Sequence, residues 1–479
     1  METTATYDVD SKEFILNSPT DTSMKFWVGS LGKTANMAVV LAKLIINEIE
    51  YGVHAFVISI RDKKTHLPHP GIRVGECGPK RAFDGMDTGY IKFDQFRVPK
   101  DSLLDRFCNV ADDGTYTSPI KDNNKRFVSS IACLTSGRIF ISRCSADHTL
   151  IALTIALRYS VIRKQFGPIN QEKRLITYPL HQYRLFPKLA IGICYYISTL
   201  SLYNLWLKNL PTMFEEGNKT TQLLHSLSSL LKAYGTWNSS ETTDECRQAC
   251  GSNGYLLLAL YGKIEEIDDV NRTWEGDNNV LLLQVQAFLL RALRMKINQE
   301  TLPQTLEFLT TEMPEVAPFE GDINNPNDIM KLFDDRANYM VHKCAMKFMA
   351  DPSKIAQVLN ENQPFDLRDM CAAYLDVYNS SQYVEFISNF KEGKAKEVIS
   401  KLFLLYLQYT VFTQKHYYTK IFSRAQRNML QESIMSICES LVPESILLTD
   451  CFPYPNLNYG GLGNEDLRVW DRLVSFQLF

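Results

Sequence analysis

The sequence has no excess of basic residues and no cysteine pattern typical of a metal site or a disulfide framework. It holds 51 Lys and Arg against 54 Asp and Glu, a formal net charge of −3 over 479 residues. A nucleic-acid-binding protein is therefore not indicated. The eleven cysteines, an odd number, are scattered without a C-x-x-C pair or Cys/His metal spacing. This distribution favours reduced thiols in an intracellular compartment, and no metal site is predicted.

A secretion signal is also missing. One long apolar run has to be judged as a candidate membrane span. The amino-terminal METTATYDVDSKEF has neither a basic start nor an apolar core. Residues 189–207 are uncharged, are flanked by Lys188 and Lys208, and are long enough to span a bilayer. Because this run contains serine, threonine, asparagine and three tyrosines, a buried core helix is favoured over a membrane span.

The hydrophobic periodicity changes from strand-like to helical near Lys125. Before it, residues 54–60 and 89–99 have strand patterns separated by turn residues, and they predict an antiparallel barrel or sandwich. After it, four long segments follow the helical period: residues 128–165, 175–209, 219–250 and 279–297. Four such helices in succession predict a bundle. Residues 301–327 carry four prolines and predict a linker, and residues 328–449 are helical again.

The fold class predicted from these patterns is α+β, mostly α. The composition, 45% hydrophobic and 22% charged, is that of a soluble globular protein, and the length indicates two or three domains. The predicted parts are a β-domain (1–118), a helical bundle (119–300), a linker (301–327) and a second helical domain (328–479).

The stretch WVGSLGKT ends like a nucleotide-binding loop. A Walker loop needs G-x-x-x-x-G-K-[ST], so that enough backbone N–H groups surround the phosphates. Trp27 occupies the place of the first glycine, and the loop from Gly29 to Gly32 is two residues too short. The apolar run 35–41 that follows is more typical of a strand than of the helix a Walker loop opens. An ATPase is therefore not favoured.

The combination NRTWEGDNN precedes the apolar run VLLLQVQAFLLRAL and permits two interpretations. In the first it is an ordinary helix start, with Asp277 or Asn278 as N-cap and Glu275 near the positive end of the helix dipole. In the second, Gly276 allows a tight turn that directs Glu275 into a cavity walled by Trp274. Desolvation raises the pKa of a carboxylic acid towards neutrality, which suits a general base. Spacing alone favours the first interpretation.

Two further segments contain residues suited to binding a ligand. RYSVIRKQFGP ends a helix with Arg163, followed three residues later by Phe166. This pairing suits a phosphate contact and a stacking plane, although an arginine at a helix end is common. ECRQACGSNGY places Gly251 and Gly254 where a helix ends, which lets the backbone approach a ligand; the same pattern is typical of a plain C-cap.

Together these motifs resemble the acyl-CoA oxidase family, within the acyl-CoA dehydrogenase superfold, over most of the chain. Eight blocks occur in the family order with family-like spacing: ETTATYD, EFILNSPT, KFWVGSLGKTAN, YGVHAF, RYSVIRKQFGP, YPLHQYRLFPKLA, ECRQACGSNGY and TWEGDNNVLL. The blocks KFWVG, RKQFGP, YPLHQYRL and WEGDNN look most similar to the branched-chain (pristanoyl-CoA) oxidases.

The resemblance implies an FAD-dependent acyl-CoA oxidase that acts in the first step of peroxisomal fatty-acid β-oxidation. In this family a glutamate removes the α-proton of an acyl-CoA thioester while a hydride leaves Cβ for the flavin. Molecular oxygen then reoxidises the flavin, which gives hydrogen peroxide and a trans-2-enoyl-CoA. Glu275 matches the catalytic position of the family's [YF]-E-G motif, with Trp274 in the aromatic place. The redox chemistry then belongs to the cofactor and the proton transfer to Glu275.

The resemblance also assigns residues to the cofactor FAD. The positions that match the family's contacts are Trp27, Val28 and Gly29 against the flavin, Arg163 and Phe166 at the pyrophosphate and adenosine, and Gln248 and Gly251 beside the ADP part. Because Arg163 and Phe166 typically reach the cofactor of a partner subunit, the resemblance implies a homodimer. At Ser252 and Asn253 the sequence departs from the Gly-Gly-His-Gly-Tyr of related oxidases.

Both ends of the sequence depart from the family pattern as well. The chain begins after the family's N-terminal helical domain and its T-E-x-x-H-G-like flavin strand, and it ends in QLF instead of a Ser-Lys-Leu-type signal. Peroxisomal location is thus implied by resemblance alone, and without import the protein would be cytoplasmic. The short amino terminus leaves an alternative open: a catalytically impaired relative that acts as a dimerisation or regulatory partner of a full-length oxidase. An acyl-CoA dehydrogenase is less favoured, because a second helical region follows the bundle.

Overall fold

A computed structural model of the chain describes most of its residues: 2–123, 126–127, 134–213, 219–349, 364–464 and 468–471. The contacts between residues divide the chain into two units, Met1–Leu134 and Thr135–Phe479. The division at 118, 300 and 327 that the sequence indicates is finer than this split and stays a prediction. The chain is mostly helical, 58%, with β-sheets confined largely to the first unit, as the sequence predicts.

The first unit is built mainly from two open sheets, with a short two-stranded ladder of Asn109–Val110 and Tyr116–Thr117 after them in the sequence. Its longer strands are β1 (Thr4–Asp8), β2 (Glu13–Asn17), β3 (Lys25–Gly29), β4 (Met37–Ile46), β5 (Ile49–Ser59), β6 (Ile72–Glu76), β7 (Thr88–Phe93) and β8 (Phe96–Pro99). One sheet has the order β5-β4-β1-β2-β8 and the other β3-β7-β6. Buried and partly exposed residues alternate along β1, β2 and β7, so each buries one face. The described residues form no closed barrel.

Two details of the sheets differ from the sequence prediction. The sequence predicts an antiparallel unit, but β1 pairs parallel with β4. A parallel pair needs a long connection between its strands, and here that connection contains β2 and β3. The predicted strand 89–99 is two strands, since Gln95 has a left-handed φ of 48° and turns the chain from one sheet to the other. The buried positions are odd-numbered up to Phe93 and even-numbered at Val98, so the alternation changes phase across the turn.

The second unit contains the helices. Its longer ones are α1 (Leu134–Ile162), α2 (Pro179–Asn209), α3 (Lys219–Ala249), α4 (Tyr261–Asp269), α5 (Asn278–Ile297), α6 (Pro326–Met349), α7 (Pro364–Ser388), α8 (Lys394–Thr413), α9 (Arg424–Leu441) and α10 (Ser445–Asp450). The four helical segments predicted from the periodicity correspond to α1, α2, α3 and α5. The strand-like run 35–41 and the strand 54–60 likewise fall on β4 and β5.

Helix α2 lies at the centre of the second unit and contacts α3, α7, α8 and α9. Its side chains from Leu185 to Leu202 contribute many of the fully buried residues of the core. By length and composition alone α1 and α2 are both apolar enough to cross a membrane, but 72% of the apolar window of each is buried inside the protein. That burial is what the sequence predicts for residues 189–207, a core helix. The cysteines that the structure describes all have free thiols.

Candidate active site

The loop between α4 and α5 carries Glu275 in a strained backbone conformation. Glu275 has a φ of 53° and Gly276 a φ of 108°, both left-handed, so the chain turns sharply just before α5. Asp277 is the N-cap of α5: its Oδ1 accepts from the backbone N–H of Asn279 at 2.9 Å and of Val280 at 3.4 Å. Asp277, the first of the two candidates, is therefore the capping residue, and the tight turn at Gly276 precedes it.

The Glu275 carboxylate lies directly against Gly137, in the first turn of α1. A Cβ placed on Gly137 would lie 2.8 Å from Cδ of Glu275 and within 3.0 Å of both its carboxylate oxygens. Real Cβ atoms do not approach other atoms that closely, so this position leaves room for the glutamate only as glycine. In the sequence a glycine inside a helical pattern indicates only a weaker helix, which is why Gly137 was not predicted as a site residue.

Two basic side chains hold the backbone of the same loop. Arg138 donates from Nε to the carbonyl oxygen of Glu275 at 2.9 Å. Lys232 of α3, which is fully buried, donates from Nζ to the carbonyl of Gly276 at 2.6 Å and to Oδ1 of Asn278 at 3.0 Å. Burial lowers the pKa of Lys232 to about 8. These bonds fix both peptide carbonyls beside the glutamate, so the loop conformation is over-determined.

Arg138 has a further partner in His225 of α3. Its Nη1 lies 3.1 Å from Nδ1 of the imidazole. Burial and the neighbouring guanidinium lower the pKa of His225 to about 4, so the ring is neutral at pH 7. A neutral ring accepts a hydrogen bond at Nδ1, which holds the arginine against the loop.

Trp274 is fixed on the other side of the loop. Its Nε1 donates to Oδ1 of Asn271 at 2.8 Å, and Asn271 in turn donates from Nδ2 to Asp268 at 2.7 Å. The indole remains 36% exposed and Glu275 is half-buried. The described residues therefore cover the carboxylate in part and leave one side of it open.

Arg163 and Phe166 lie at the other end of α1, in a two-stranded hairpin. The guanidinium of Arg163 donates to Oε1 of Gln165 at 2.8 Å and lies over the ring of Trp470 at 5.1 Å. Phe166 has a left-handed φ of 61°, is 68% exposed, and meets Tyr178 edge-on at 6.2 Å. An exposed aromatic thus lies three residues after the arginine in this hairpin, and their role in binding FAD stays a prediction.

Gln248 and Gly251 lie where α3 ends, next to this hairpin. Gln248 is exposed and donates to Oδ2 of Asp244 at 2.8 Å. Gly251 has a φ of 63°, and a Cβ built on it would meet nothing within 4 Å. Asn253 donates to the hydroxyl of Tyr159, whose carbonyl accepts from the backbone N–H of Arg163. The segments of Arg163 and Gly251 are therefore neighbours.

The structure does not bring Arg163 close to Glu275 within one chain. Gly137, beside the glutamate, and Ile162, beside Arg163, lie near opposite ends of α1. At 1.5 Å per residue that part of the helix is about 40 Å long. A single dinucleotide cofactor cannot contact both residues of the same chain.

Trp27, Val28 and Gly29 lie on β3 of the first unit. The pairing of β3 with β7 shifts register between Lys25 and Val28, and Trp27 has a φ of 65°. This irregularity turns the indole outwards, where it is 66% exposed. A Cβ on Gly29 would meet nothing within 4 Å, so the strand is open to approach at this position.

The loop after β3 is not a phosphate cradle. The backbone N–H groups of Lys33 and Thr34 donate to Oδ2 of Asp87 at 2.8 and 2.9 Å, and the Thr34 hydroxyl donates to the same oxygen at 3.0 Å. A carboxylate of the protein thus occupies the donors that a phosphate would need, and the exclusion of a Walker loop holds.

Solved structures with the same architecture define the class of this protein. Acyl-CoA oxidase 1 of Yarrowia lipolytica matches with a TM-score of 0.92 at 26% identity, over 99% of this chain and 72% of that one. Acyl-CoA oxidase-1 of Caenorhabditis elegans, solved in complex with FAD and ATP, matches with a TM-score of 0.89 at 26% identity, over 99% and 72% of the two chains. The fold is that of an acyl-CoA oxidase, an oxidoreductase.

Sequence comparisons then place the chain in a family. The model of the acyl-CoA oxidase C-alpha1 domain matches residues 132–290, and the acyl-CoA oxidase model matches residues 325–460. Peroxisomal acyl-coenzyme A oxidase 1 of Bos taurus is 31% identical over 99% of this chain and 74% of the relative. Peroxisomal acyl-coenzyme A oxidase 3 of Homo sapiens is 32% identical over 99% and 71%. The chain belongs to the acyl-CoA oxidase family, as its motifs predict.

Proposed function

We propose that this chain is an FAD-dependent oxidase of acyl-CoA thioesters, which forms a trans-2-enoyl-CoA and reduces oxygen to hydrogen peroxide. This is the first step of fatty-acid β-oxidation, and the relatives named as peroxisomal oxidases support a peroxisomal location. The observation that carries the proposal is the Glu275 carboxylate, open on one side and positioned against Gly137 by a loop whose carbonyls Arg138 and Lys232 bind. The resemblance of KFWVG and WEGDNN to branched-chain oxidases supports 2-methyl or long-chain substrates.

The residues proposed for FAD suit its chemical groups. Trp27 is an exposed aromatic plane for the flavin, and the open space at Gly29 and Gly251 lets a ligand approach the backbone. Arg163 offers a planar guanidinium for the pyrophosphate, and Phe166 an exposed ring for the adenine. When bound, FAD supplies the hydride acceptor for the substrate Cβ and passes the electrons to oxygen.

Glu275 would act as the general base for the α-proton. A positioned base of this kind works only when its oxygen is held at hydrogen-bond distance from the proton it removes. Arg138 and Lys232 bind the carbonyls of Glu275 and Gly276, and the backbone at Gly137 lies against the carboxylate. The carboxylate therefore has few alternative positions, and its alignment is established before the substrate binds.

A homodimer with shared cofactor sites follows from the same proposal. Because Glu275 and Arg163 lie near opposite ends of α1, an FAD beside Glu275 of one subunit would meet Arg163 and Phe166 of a second copy. A two-fold axis then gives two equivalent sites, each completed across the interface.

Replacing Glu275 by glutamine tests the proposal. The amide has the shape of the carboxylate but cannot accept the α-proton, so we expect peroxide release with a long-chain or 2-methyl acyl-CoA to fall about 10²–10⁴-fold. Flavin absorbance and substrate affinity should remain near their wild-type values. Glu266→Gln is the matched control, since Glu266 pairs with Lys263 on α4 and should leave the rate unchanged. Full activity of Glu275→Gln in an oxygen-coupled assay would refute the assignment.

A further inference from the structure

Cys144 of α1 begins a hydrogen-bonded series of thiol, imidazole and carboxylate outside the site described above. His148 lies one helical turn later, and its Nε2 and Nδ1 lie 3.7 and 4.0 Å from Sγ of Cys144. Nδ1 also lies 3.0 Å from Oδ1 of Asp268 on α4. The imidazole thus lies between the thiol and the carboxylate, in contact with both, and a thiol beside a base that a third group orients is typical of activated cysteines.

The carboxylate end of this series is buried and bonded. Asp268 is 3% exposed, and its Oδ1 also accepts from Ser145 at 2.9 Å and from Asn271 at 2.7 Å. Burial alone would raise the pKa of Asp268, but the hydrogen bond and charge of His148, with Asn271, outweigh it and lower that pKa. The carboxylate is therefore ionised, and it orients the ring.

His148 is correspondingly cationic. Burial alone would lower its pKa, but the hydrogen bonds and charges of Asp268 and Cys144 outweigh burial and raise it to about 10. The neighbouring charges on α1, Arg143 and Asp147, pair with each other at 3.4 Å, and Asp147 also accepts from Tyr454 at 2.6 Å. An imidazolium beside a thiol favours the thiolate, which is the reactive form.

Exposure separates Cys144 and Cys451 from the other thiols that the structure describes. Cys144 and Cys451 are exposed, Cys77 is intermediate, and the rest are buried. Cys451 lies just after α10 and its Sγ contacts the carbonyl of Leu447 at 3.2 Å. It is therefore an internal control: similarly accessible, but with a carbonyl oxygen at its thiol.

We propose that Cys144 is a peroxide-oxidised site, converted to a sulfenic acid with His148 as proton donor. The Cys144 sulfur attacks one oxygen of hydrogen peroxide, an S–O bond forms, and the O–O bond breaks. The sulfur is oxidised by two electrons and the peroxide is reduced. The leaving hydroxide takes the proton of the His148 imidazolium and departs as water, so Cys–S⁻, H₂O₂ and HisH⁺ become Cys–SOH, H₂O and neutral His.

The proposal rests on the proposed function in one respect, the natural source of the peroxide. An acyl-CoA oxidase would itself release the hydrogen peroxide that oxidises its Cys144. The thiol chemistry needs no acyl-CoA turnover. Peroxide is therefore added in the test, so that an inactive oxidase with an oxidised Cys144 would refute the function and leave the thiol site standing.

The test compares Cys144 and Cys451 in the same intact molecules. The full-length protein is treated with hydrogen peroxide at pH 7 and trapped with dimedone, and both cysteine peptides are followed by mass spectrometry. An ordinary thiol is only a few per cent thiolate at pH 7. Since a more acidic thiol is also a weaker nucleophile, we expect Cys144 to be labelled about tenfold faster than Cys451. Equal rates at the two cysteines would overturn the proposal.

A variant isolates the role of the imidazole. His148→Asn should reduce labelling of Cys144 to within about twofold of Cys451, because the cation that favours the thiolate is lost. Labelling of Cys451 should not change. Fast labelling of Cys144 in a folded His148→Asn protein would refute the role of the ring.

A measurement on the wild type alone covers the case in which the variant does not fold. Iodoacetamide at pH 7 should alkylate Cys144 about tenfold faster than Cys451, because an imidazole lies beside Sγ of Cys144 and only a carbonyl oxygen lies beside that of Cys451. Equal rates of alkylation at the two cysteines would contradict the proposal.

Discussion

Glu275 is held in a backbone conformation that glutamate does not favour. A left-handed φ costs a residue with a Cβ about 1–3 kcal/mol, and such strain persists only where neighbouring bonds enforce it. Here Arg138 binds the carbonyl of Glu275, and Lys232 binds that of Gly276. Strain of this kind, at the residue that matches the family's catalytic position, is consistent with a loop selected for the placement of one carboxylate.

Gly137→Ala should move that carboxylate without unfolding the protein. The new methyl group would stand 2.8 Å from Cδ of Glu275, so the glutamate must shift. We expect the turnover number to fall at least about tenfold, since a small misplacement of a catalytic group is costly. Alanine favours the helix by up to about 1 kcal/mol, so the melting temperature should not fall.

Gly235→Ala on α3 is the matched control for this change. A Cβ there would lie 3.6 Å from the ring of Tyr195, an ordinary van der Waals contact. It should leave turnover unchanged. If Gly137→Ala turned over acyl-CoA as fast as Gly235→Ala, Gly137 would have no part in placing Glu275.

At the scale of the element, the predictions that succeeded depend on period and on local capping. Helices α1, α2, α3 and α5 follow from apolar spacing, and the start of α5 from Asp277. The predictions that failed depend on pairings between distant segments. The parallel contact of β1 with β4 leaves no periodic signal, and the change of phase between β7 and β8 does not show that the two strands join different sheets.

Asp277→Ala should loosen the first turn of α5 and with it the Glu275 loop. Loss of the capping carboxylate costs about 1 kcal/mol, because the N–H groups of Asn279 and Val280 lose their acceptor. Amide hydrogen exchange in this turn should accelerate about fivefold. Asp277→Asn keeps an acceptor oxygen and should exchange nearly as the wild type does. Identical protection in both variants would show that the cap does not hold the turn.

At the scale of the whole molecule, the glutamate proposed as the base could be predicted from the sequence and most of its supports could not. Glu275 stands in a short motif, whereas Arg138 and Lys232 reach the loop from 137 and 44 residues away. An arginine or lysine on a helix indicates a solvated face unless the fold is known. The shared cofactor site stays a prediction, and the length of α1 now gives it a physical reason.

Stability should fall as the pH is lowered from about 6.5 towards 5. Burial lowers the pKa of His54, His181 and His225 to about 4 in the folded chain. An unfolded histidine titrates near 6.5, so the unfolded state binds more protons in this range and acid destabilises the fold. His148 does not oppose the effect there, because its raised pKa gives a stabilisation that is fully present below 6.5 and lost towards pH 10. Asp334 and Asp376 do oppose it, because burial raises the pKa of each carboxyl to about 6 and the folded state then takes up their protons first. Three histidines against two carboxyls leave a net fall in stability.

Chemical denaturation at several pH values measures this effect. Each buried histidine contributes at most about 1.4 kcal/mol per pH unit to the free energy of unfolding. His181→Gln should reduce the slope by up to that amount in the second unit and leave the first unit unaffected. A slope for His181→Gln equal to that of the wild type would contradict the burial of a neutral imidazole at this position.

The central position of α2 has a consequence for synthesis on the ribosome. The helix is complete once Asn209 has been added, but α7, the first of its partners beyond α3, ends at Ser388, roughly 180 residues later. At about 5–20 residues per second that interval is of the order of 10–40 s. During that time α2, which is as apolar as a membrane-spanning helix, lacks the helices α7, α8 and α9 that bury part of its surface. The nascent chain should therefore depend on a chaperone, or on slow elongation before residue 388, more than the burial of this helix in the folded chain suggests.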